Sequence, residues 1–405
     1  MNTSVDVAII GAGQAGLATS WYLRQANIDH VVLEAGRVAE TWRTRRWDSF
    51  CLVTPNWSVR LPGAKYAGPD PDGFMPLAEL VDYFQAWADS FGAPVQGSSP
   101  VSSVGAGGEG FVLSVPSGQL DAKTVVVASG AYQRAHMPAG TTDIPAAVHQ
   151  MLAEEYRNPD ALPPGGVLVV GSGQTGCQLA DELNQAGRAT FLACGRCGWL
   201  PRRIGGRDTM WWAQESGFLD RTPDKLPAPG ARLMCNPSWS GHDGGKDLHL
   251  RTLHRDGVEL LGRFVGVGDG KLRFADDLAA SADFGDARWA DFRGFADAYC
   301  DRTGTTRPDY DIPPPLRLNT RVELDPKRDG IGTVIWTTGY RPEYSFVNFP
   351  VFDDMGFPVQ VDGRTSVPGL YFVGVHWMRK FKSPILAGVG EDAEVVARHI
   401  VEARA

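Results

Sequence analysis

The strongest constraint in this chain is a glycine pattern that occurs twice, each time directly after a short apolar run. GAGQAG, Gly11 to Gly16, follows Val5–Ile10, and GSGQTG, Gly171 to Gly176, follows Val167–Val170. Almost continuously apolar runs of this length predict parallel strands covered on both faces by helices. A helix is expected after each glycine run, over 14–26 and 175–186, and a second strand after each helix, over 31–33 and 189–193. In such a unit the first glycine permits the tight turn, the second lets the backbone approach a pyrophosphate, and the third allows close packing of helix on strand. The helix N-terminus then faces the phosphate charge. Two such units place the chain in the α/β class, with two Rossmann-like dinucleotide-binding domains.

The two units differ where the second strand ends. Glu34 closes it in the first, about twenty residues after the glycines, where a carboxylate accepts hydrogen bonds from an adenosine ribose. The second unit has Ala193, Cys194 and Gly195 at that place, then Arg196, with Arg202 and Arg203 just beyond. Without an acid to hold a free ribose hydroxyl, and with arginines that suit a 2′-phosphate, the second site favours NADPH over NADH.

Composition narrows the class of protein further. A chain of 405 residues is long enough for two domains. Its net charge of −8 is spread along the chain, which argues against nucleic acid as a partner. No apolar run approaches the ~18 residues of a membrane span. The first ten residues lack a basic leader and read as a strand, so a cytoplasmic protein with reduced cysteines is expected. No HExxH motif or Cys/His cluster points to a metal, and no Ser/His/Asp triad is found. The sequence leaves a homodimer open.

Between and after the two units lie an aromatic, proline-rich stretch over 42–76, an amphipathic helix over 77–91 and a buried strand over 125–127. The α/β pattern returns with strands over 333–336 and 369–373 and a helix over 391–403. The stretch 205–318, rich in Trp, Asp and Gly, has no legible period. Its most distinctive residues are Trp211, Trp212, Trp239, His242 and Asp243; core packing is the plainer reading for the tryptophans, and Ser240–Asp247 reads as a loop capable of polar recognition.

Longer wording sharpens the reading. VVVASG (Val125–Gly130) lies between the glycine motifs and VIWTTGY (Val334–Tyr340) after them. TWRTRRWDSFCLVTPNW (Thr41–Trp57), LPG (Leu61–Gly63) and FMPLAELVDYFQAWADSF (Phe74–Phe91) complete the set. Together these segments resemble the class B flavin monooxygenases, including YUCCA-like and CzcO-like members. The RWDSFCLVTPNW wording is similar to that of a subgroup associated with nitrilase gene clusters.

The resemblance implies that Gly11, Gly13, Gln14, Ala15, Gly16, Glu34, Trp42 and Arg43 hold FAD. It implies that Gly171, Gly173, Gln174, Thr175 and Gly176 hold the NADPH pyrophosphate, with Arg196, Arg202 and Arg203 toward its 2′-phosphate. Ser129 and Gly130 lie in the motif that links the domains. Gly374 belongs to GLYFVGVHW (Gly369–Trp377), which passes under the flavin, with Val375 where the family carries an acid. Residues 385–400 are expected to bring a helix N-terminus near the flavin pyrimidine ring. The implied domains are an FAD-binding part over 1–135, an NADPH domain over 163–332 whose segment 205–318 contributes to the substrate pocket, and a second FAD-binding part over 333–405.

Asn56 falls near the position where the family places an Asn or Lys beside the flavin C4a edge; its other reading is a turn residue after Pro55. The signature FxGxxxHxxx(F/W/Y) would occupy 146–156, yet only Tyr156 fits, with Leu152 in the His slot and His149 three residues away. The CxxC of Cys194 and Cys197 lies where the adenosine end of NADPH is expected, far from a flavin, so packing is the expected role. The function implied is an NADPH-consuming monooxygenase that forms a C4a-(hydro)peroxyflavin from molecular oxygen and oxygenates a small nitrogen or sulfur nucleophile. Leu152 keeps a reductase that passes electrons to a small acceptor as the alternative, and a silent flavin-binding sensor is a third reading.

Overall fold

The computed structural model describes residues 3–404. Two sheets organise it. In the first, parallel strands run in the order Val95–Gln96, His30–Leu33, Thr3–Ile10 and Gly118–Val127. The long strand Gly118–Val127 has a divided outer edge. Its first half pairs antiparallel with Phe111–Val115, and its last residues, from Val125, pair in parallel with Leu370–Phe372. The C-terminal part of the chain thus returns to the first sheet, and helix Val389–Glu402 packs on helix Gln14–Gln25.

The second sheet is wholly parallel, in the order His149–Leu152, Ile331–Trp336, Gly166–Val170, Thr190–Ala193 and Glu259–Leu261. Its strand Gly166–Val170 is buried at every residue, as expected for a central strand between helices. The sheet moves two domain boundaries. The second unit starts with His149–Leu152, ahead of 163, and it keeps Ile331–Trp336, so the chain returns to the first unit after Trp336 and not at 333.

Strand ends align in both sheets. Ile10 lies level with Leu33 and Val127, and Val170 level with Ala193 and Trp336. Each glycine turn therefore leaves its sheet at the carboxyl edge, where open α/β sheets bind ligands. Matching hydrogen bonds hold the two turns. Gly11 N–H donates to Leu33 O and Ala128 N–H to Ile10 O, as Gly171 N–H donates to Ala193 O and Thr337 N–H to Val170 O, all at 2.8–2.9 Å.

The stretch 205–318 is not a separate body. Glu259–Leu261 completes the second sheet, and the 26-residue helix Leu278–Thr303 packs through Trp289, Phe292, Ala296 and Cys300 on a third apolar cluster with Trp199, Trp212 and Trp239.

Candidate functional site

Both glycine turns open on one cleft of about 600 Å³. Gly11, Gly13, Gln14 and Ala15 line it from the first unit, and Gly173, Gln174 and Thr175 from the second. Helices Gln14–Gln25 and Gln174–Gln185 begin there with no side-chain cap and no acid in the first turn. Their leading N–H groups and positive dipole ends are thus left for an anion.

The glycines give the two turns the same shape. Gly11 and Gly171 have φ of +106° and +112°, and a Cβ would stand 2.6 Å from Ala128 O in the first and from Thr337 O in the second. At Gly16 and Gly176 a Cβ would come within 1.8 Å of the carbonyl oxygen of Gly11 or Gly171, so only glycine lets helix and turn close. A Cβ at Gly13 would meet nothing within 4 Å; its bare face looks into the open cleft. Glu34 lines the cleft and braces this turn, accepting from Ala12 N–H at 2.7 Å and Gly36 N–H at 2.9 Å. The residues fit a dinucleotide at each turn.

Several expected residues surround these cradles. Trp42 lines the cleft and donates to Gln14 Oε1 at 3.2 Å, and Gln14 in turn donates to Pro384 O at 3.0 Å. This ties the first helix to the segment Pro384–Ala387, whose residues also face the cleft. Ser129 and Gly130 lie on the wall, and Gly374 (φ +78°) brings the chain so close that a Cβ would sit 2.7 Å from Ala15 Cβ. Val375 beside it is buried. Arg196 is exposed at the end of strand Thr190–Ala193 and has no ion-pair partner among the described residues.

Four expected residues are placed elsewhere. Arg43 turns away from the cleft, donating to Val38 O at 2.9 Å and Gln85 Oε1 at 3.4 Å; its neighbours Arg45 and Arg46 line the cleft instead. Asn56 is buried with both amide atoms engaged: its Nδ2 donates to Asp70 O at 2.9 Å and its Oδ1 accepts from Met75 N–H at 2.8 Å. It shapes the 70–75 loop and does not reach the cleft. Arg202 is buried between Trp239 and Phe74, pairs with Asp208 at 2.5 Å and donates to Val53 O at 2.7 Å. Arg203 donates to the carbonyls of Gly244 and Gly245. Neither is free for a phosphate, so Arg196 alone remains of the three.

The signature region over 146–156 has become an edge strand. His149 is exposed, Leu152 packs on the second sheet's core, and Tyr156 is fully buried with its hydroxyl on Glu182 Oε1 at 3.2 Å. The histidines on the cleft are His136 and His376. His376 stands edge-on to Tyr132, ring centroids 4.9 Å apart, and burial holds it down at about 4, so it is neutral at pH 7. It was hidden in the GLYFVGVHW segment because a lone His carries no spacing signal. Burial pushes the Cys177 thiol up to about 12 and Cys194 well above the thiol range, and every cysteine is free.

The stretch 205–318 contributes to the cleft through Met210, Ala213, Phe218, Leu219, Trp239 and the segment Arg232–Pro237, joined by Phe381 from the C-terminal part. Trp212 is core, donating to Ile204 O at 3.0 Å, and Trp211 lies under Arg207.

A two-sheet fold with paired nucleotide cradles on one cleft defines a dinucleotide-dependent oxidoreductase. The family model described as pyridine nucleotide-disulphide oxidoreductase matches residues 8–202. The "uncharacterized oxidoreductase CzcO-like" of Geobacillus kaustophilus is 31% identical over 99% of both chains. An indole-3-pyruvate monooxygenase, YUCCA4 of Oryza sativa subsp. japonica, is 31% identical over 51% of this chain and 53% of its own. The flavin-containing monooxygenase from Stenotrophomonas maltophilia superposes with a TM-score of 0.66 at 20% identity, covering 100% of both chains, and so shares the fold. The chain belongs to the class B flavin monooxygenase family of flavin-dependent oxidoreductases, beside its CzcO-like members.

Proposed function

We propose that the protein is an FAD- and NADPH-dependent monooxygenase that oxygenates a small, uncharged nitrogen or sulfur nucleophile. The single observation that carries this reading is that both glycine turns face the same cleft, so that two dinucleotides held there bring their redox rings together. FAD belongs to the first cradle, with Glu34 on the adenosine ribose, and NADPH to the second, with Arg196 toward the 2′-phosphate. The bound flavin supplies the two-electron relay from NADPH to molecular oxygen.

The protein's part is placement and dryness. Met210, Phe218, Leu219, Trp239 and Phe381 make an apolar wall, with Arg221 stacked on Phe218 and Phe381 and Arg202 on Trp239, and this wall excludes water and favours an uncharged substrate. His376, neutral and fixed beside Tyr132, offers a hydrogen bond without adding charge. Leu152 in place of the family His supports the second reading, a reductase that hands electrons to a small acceptor.

The test is a screen of amines, thioethers and ketones that follows NADPH use, oxygen use and product together. The proposal expects an amine or thioether oxide formed in step with NADPH. Hydrogen peroxide in full stoichiometry with every compound, and no oxygenated product, would establish the reductase instead. Arg196→Ala is expected to weaken NADPH about tenfold, a typical effect of losing one charge-assisted contact, and to leave NADH nearly unchanged. Equal loss for both nucleotides removes the 2′-phosphate assignment.

A further inference from the structure

We propose that Cys197 and Cys235 form an oxidant-reactive dithiol on the wall of the second nucleotide cradle, and that its closure to a disulfide restricts entry of the nicotinamide dinucleotide. The inference rests on reading that cradle as the NADPH site.

The pair is built by the fold and not by sequence spacing. Cys197 lies in the loop after strand Thr190–Ala193, and Cys235 in the segment that returns along it. The two stretches are pinned side by side by a bridge between Trp199 and Ser238 and by Ser238 N–H on Gly198 O at 3.0 Å. Cys197 Sγ lies 3.8 Å from Asn236 O and 3.7 Å from Ser238 Oγ, so it touches the residues that follow Cys235. The neighbouring Cys197 thiol holds Cys235 below the ordinary thiol range and is itself pushed well above it. Cys235 is exposed and lines the cleft. Cys51, Cys177, Cys194 and Cys300 are buried. A thiol that ionises more readily than usual and is open to solvent marks the reactive cysteine.

Its position gives the chemistry a consequence. Cys235 Cβ is 3.4 Å and its Sγ 3.8 Å from where a Cβ on Gly173 would stand, over the bare glycine face that a pyrophosphate approaches. Asn236 and Pro237 also face the cleft. On this proposal the segment over 233–237, which lies beside Gly173 on the cleft wall, shifts outward as a dinucleotide enters. A covalent link to Cys197 removes that freedom.

The oxidant is a hydroperoxide, the product of dioxygen reduction when no substrate accepts the oxygen. Cys235 thiolate attacks one peroxide oxygen; an S–O bond forms, the O–O bond breaks, and the departing hydroxide takes the Cys197 proton to become water. Cys197 thiolate then attacks the Cys235 sulfur, the S–S bond forms, and the S–O bond breaks with loss of hydroxide, which is protonated to a second water. Two thiols lose two electrons and peroxide gains them. Protein that makes peroxide without product would thereby slow its own NADPH use.

The FAD-loaded protein is treated with a few equivalents of hydrogen peroxide, peptide-mapped without reduction, and titrated with NADPH before and after dithiothreitol. A Cys197–Cys235 disulfide is expected, with NADPH Kd raised at least about tenfold, flavin content unchanged, and recovery on reduction. Cys235→Ser is expected to lose the peroxide response whatever its starting affinity. In the untreated protein, Cys235 is expected to alkylate fastest of the six cysteines and to slow in Cys197→Ser, which moves its reactivity to higher pH. Free thiols at both positions after excess peroxide, or a disulfide that leaves NADPH Kd unmoved, overturns the proposal. Failure of the reduced wild type to bind NADPH sinks the cofactor reading instead, and the peptide map still decides whether the thiols pair.

Discussion

Gly13 and Gly16 stand three residues apart, and a methyl group would mean different things at each. At Gly13 it would enter the open space of the cleft, on the face proposed for the pyrophosphate, whereas at Gly16 it would strike a backbone carbonyl at 1.8 Å. Gly13→Ala is therefore expected to unfold within about 0.5 kcal/mol of wild type as apoprotein, as surface changes do, yet to bind FAD about tenfold more weakly. Gly16→Ala is expected to lose about 1–3 kcal/mol of stability, the usual cost of overpacking, before any cofactor is added. Thermal melts with and without FAD separate the two. Asn56→Ala is expected to act on stability alone, by about 1–3 kcal/mol, because it abandons Asp70 O and Met75 N–H in a buried site. A changed ratio of oxygenated product to peroxide in that variant would restore Asn56 to the chemistry.

Two half-buried histidines give a pH signature at the same scale. Burial holds His376 and His249 at about 4 in the fold, against 6.5 when exposed. Their neutral forms are favoured by the native state, so the stability they carry is whole above pH 6.5 and is lost as pH falls from 6.5 toward 4. Each contributes a slope approaching 1.4 kcal/mol per pH unit in that window. Urea midpoints measured between pH 7 and 4.5 are expected to fall, and a smaller fall in His376→Asn and His249→Asn would assign it to these rings. A flat profile contradicts their neutrality.

At the scale of elements, Arg202 shows how the stretch after the second strand is attached to the cleft. Its guanidinium joins Asp208, Val53 O and the faces of Trp239 and Phe74. Arg202→Ala leaves a half-buried Asp208 unpaired and is expected to cost about 3–5 kcal/mol. It also frees Val53 and Trp239, both on the cleft wall, so more NADPH should end as peroxide; tight coupling in the variant would show that this wall is held by other means. From sequence Arg202 read as one of three phosphate ligands, since a cationic side chain near a nucleotide strand does not reveal its partners. Elements whose apolar contrast is strong were legible: the glycine units, helix Leu77–Ser90 and helix Val389–Glu402. Helix Leu278–Thr303 was not. Its inward stripe includes Ser281, Ala282, Gly285, Ala296 and Cys300, small residues that barely differ in hydropathy from the outward face. The edge strand His149–Leu152 escaped for the opposite reason, being short and exposed at its start, so its place was settled by pairing with Ile331–Trp336, nearly two hundred residues away.

For the whole molecule, the decisive feature is duplication. Each unit repeats the same turn, the same forbidden Cβ positions and the same carbonyl behind the first glycine, Ala128 O in one and Thr337 O in the other. The cradles were readable in sequence because each demands glycine at fixed steps after a buried strand. The cleft between them was not, because it is assembled from segments near residues 45, 132, 210–239, 338 and 376–387 that only the fold brings together. That convergence makes one measurement more direct than any other. FAD-loaded protein is mixed with one equivalent of NADPH in the absence of oxygen while flavin absorbance near 450 nm, where oxidised flavins absorb, is followed. The account predicts full bleaching by a single equivalent, much faster with NADPH than with NADH at equal concentration. Protein that retains FAD and binds NADPH yet stays yellow would contradict it, for two cradles would then open on one cleft without bringing their rings together.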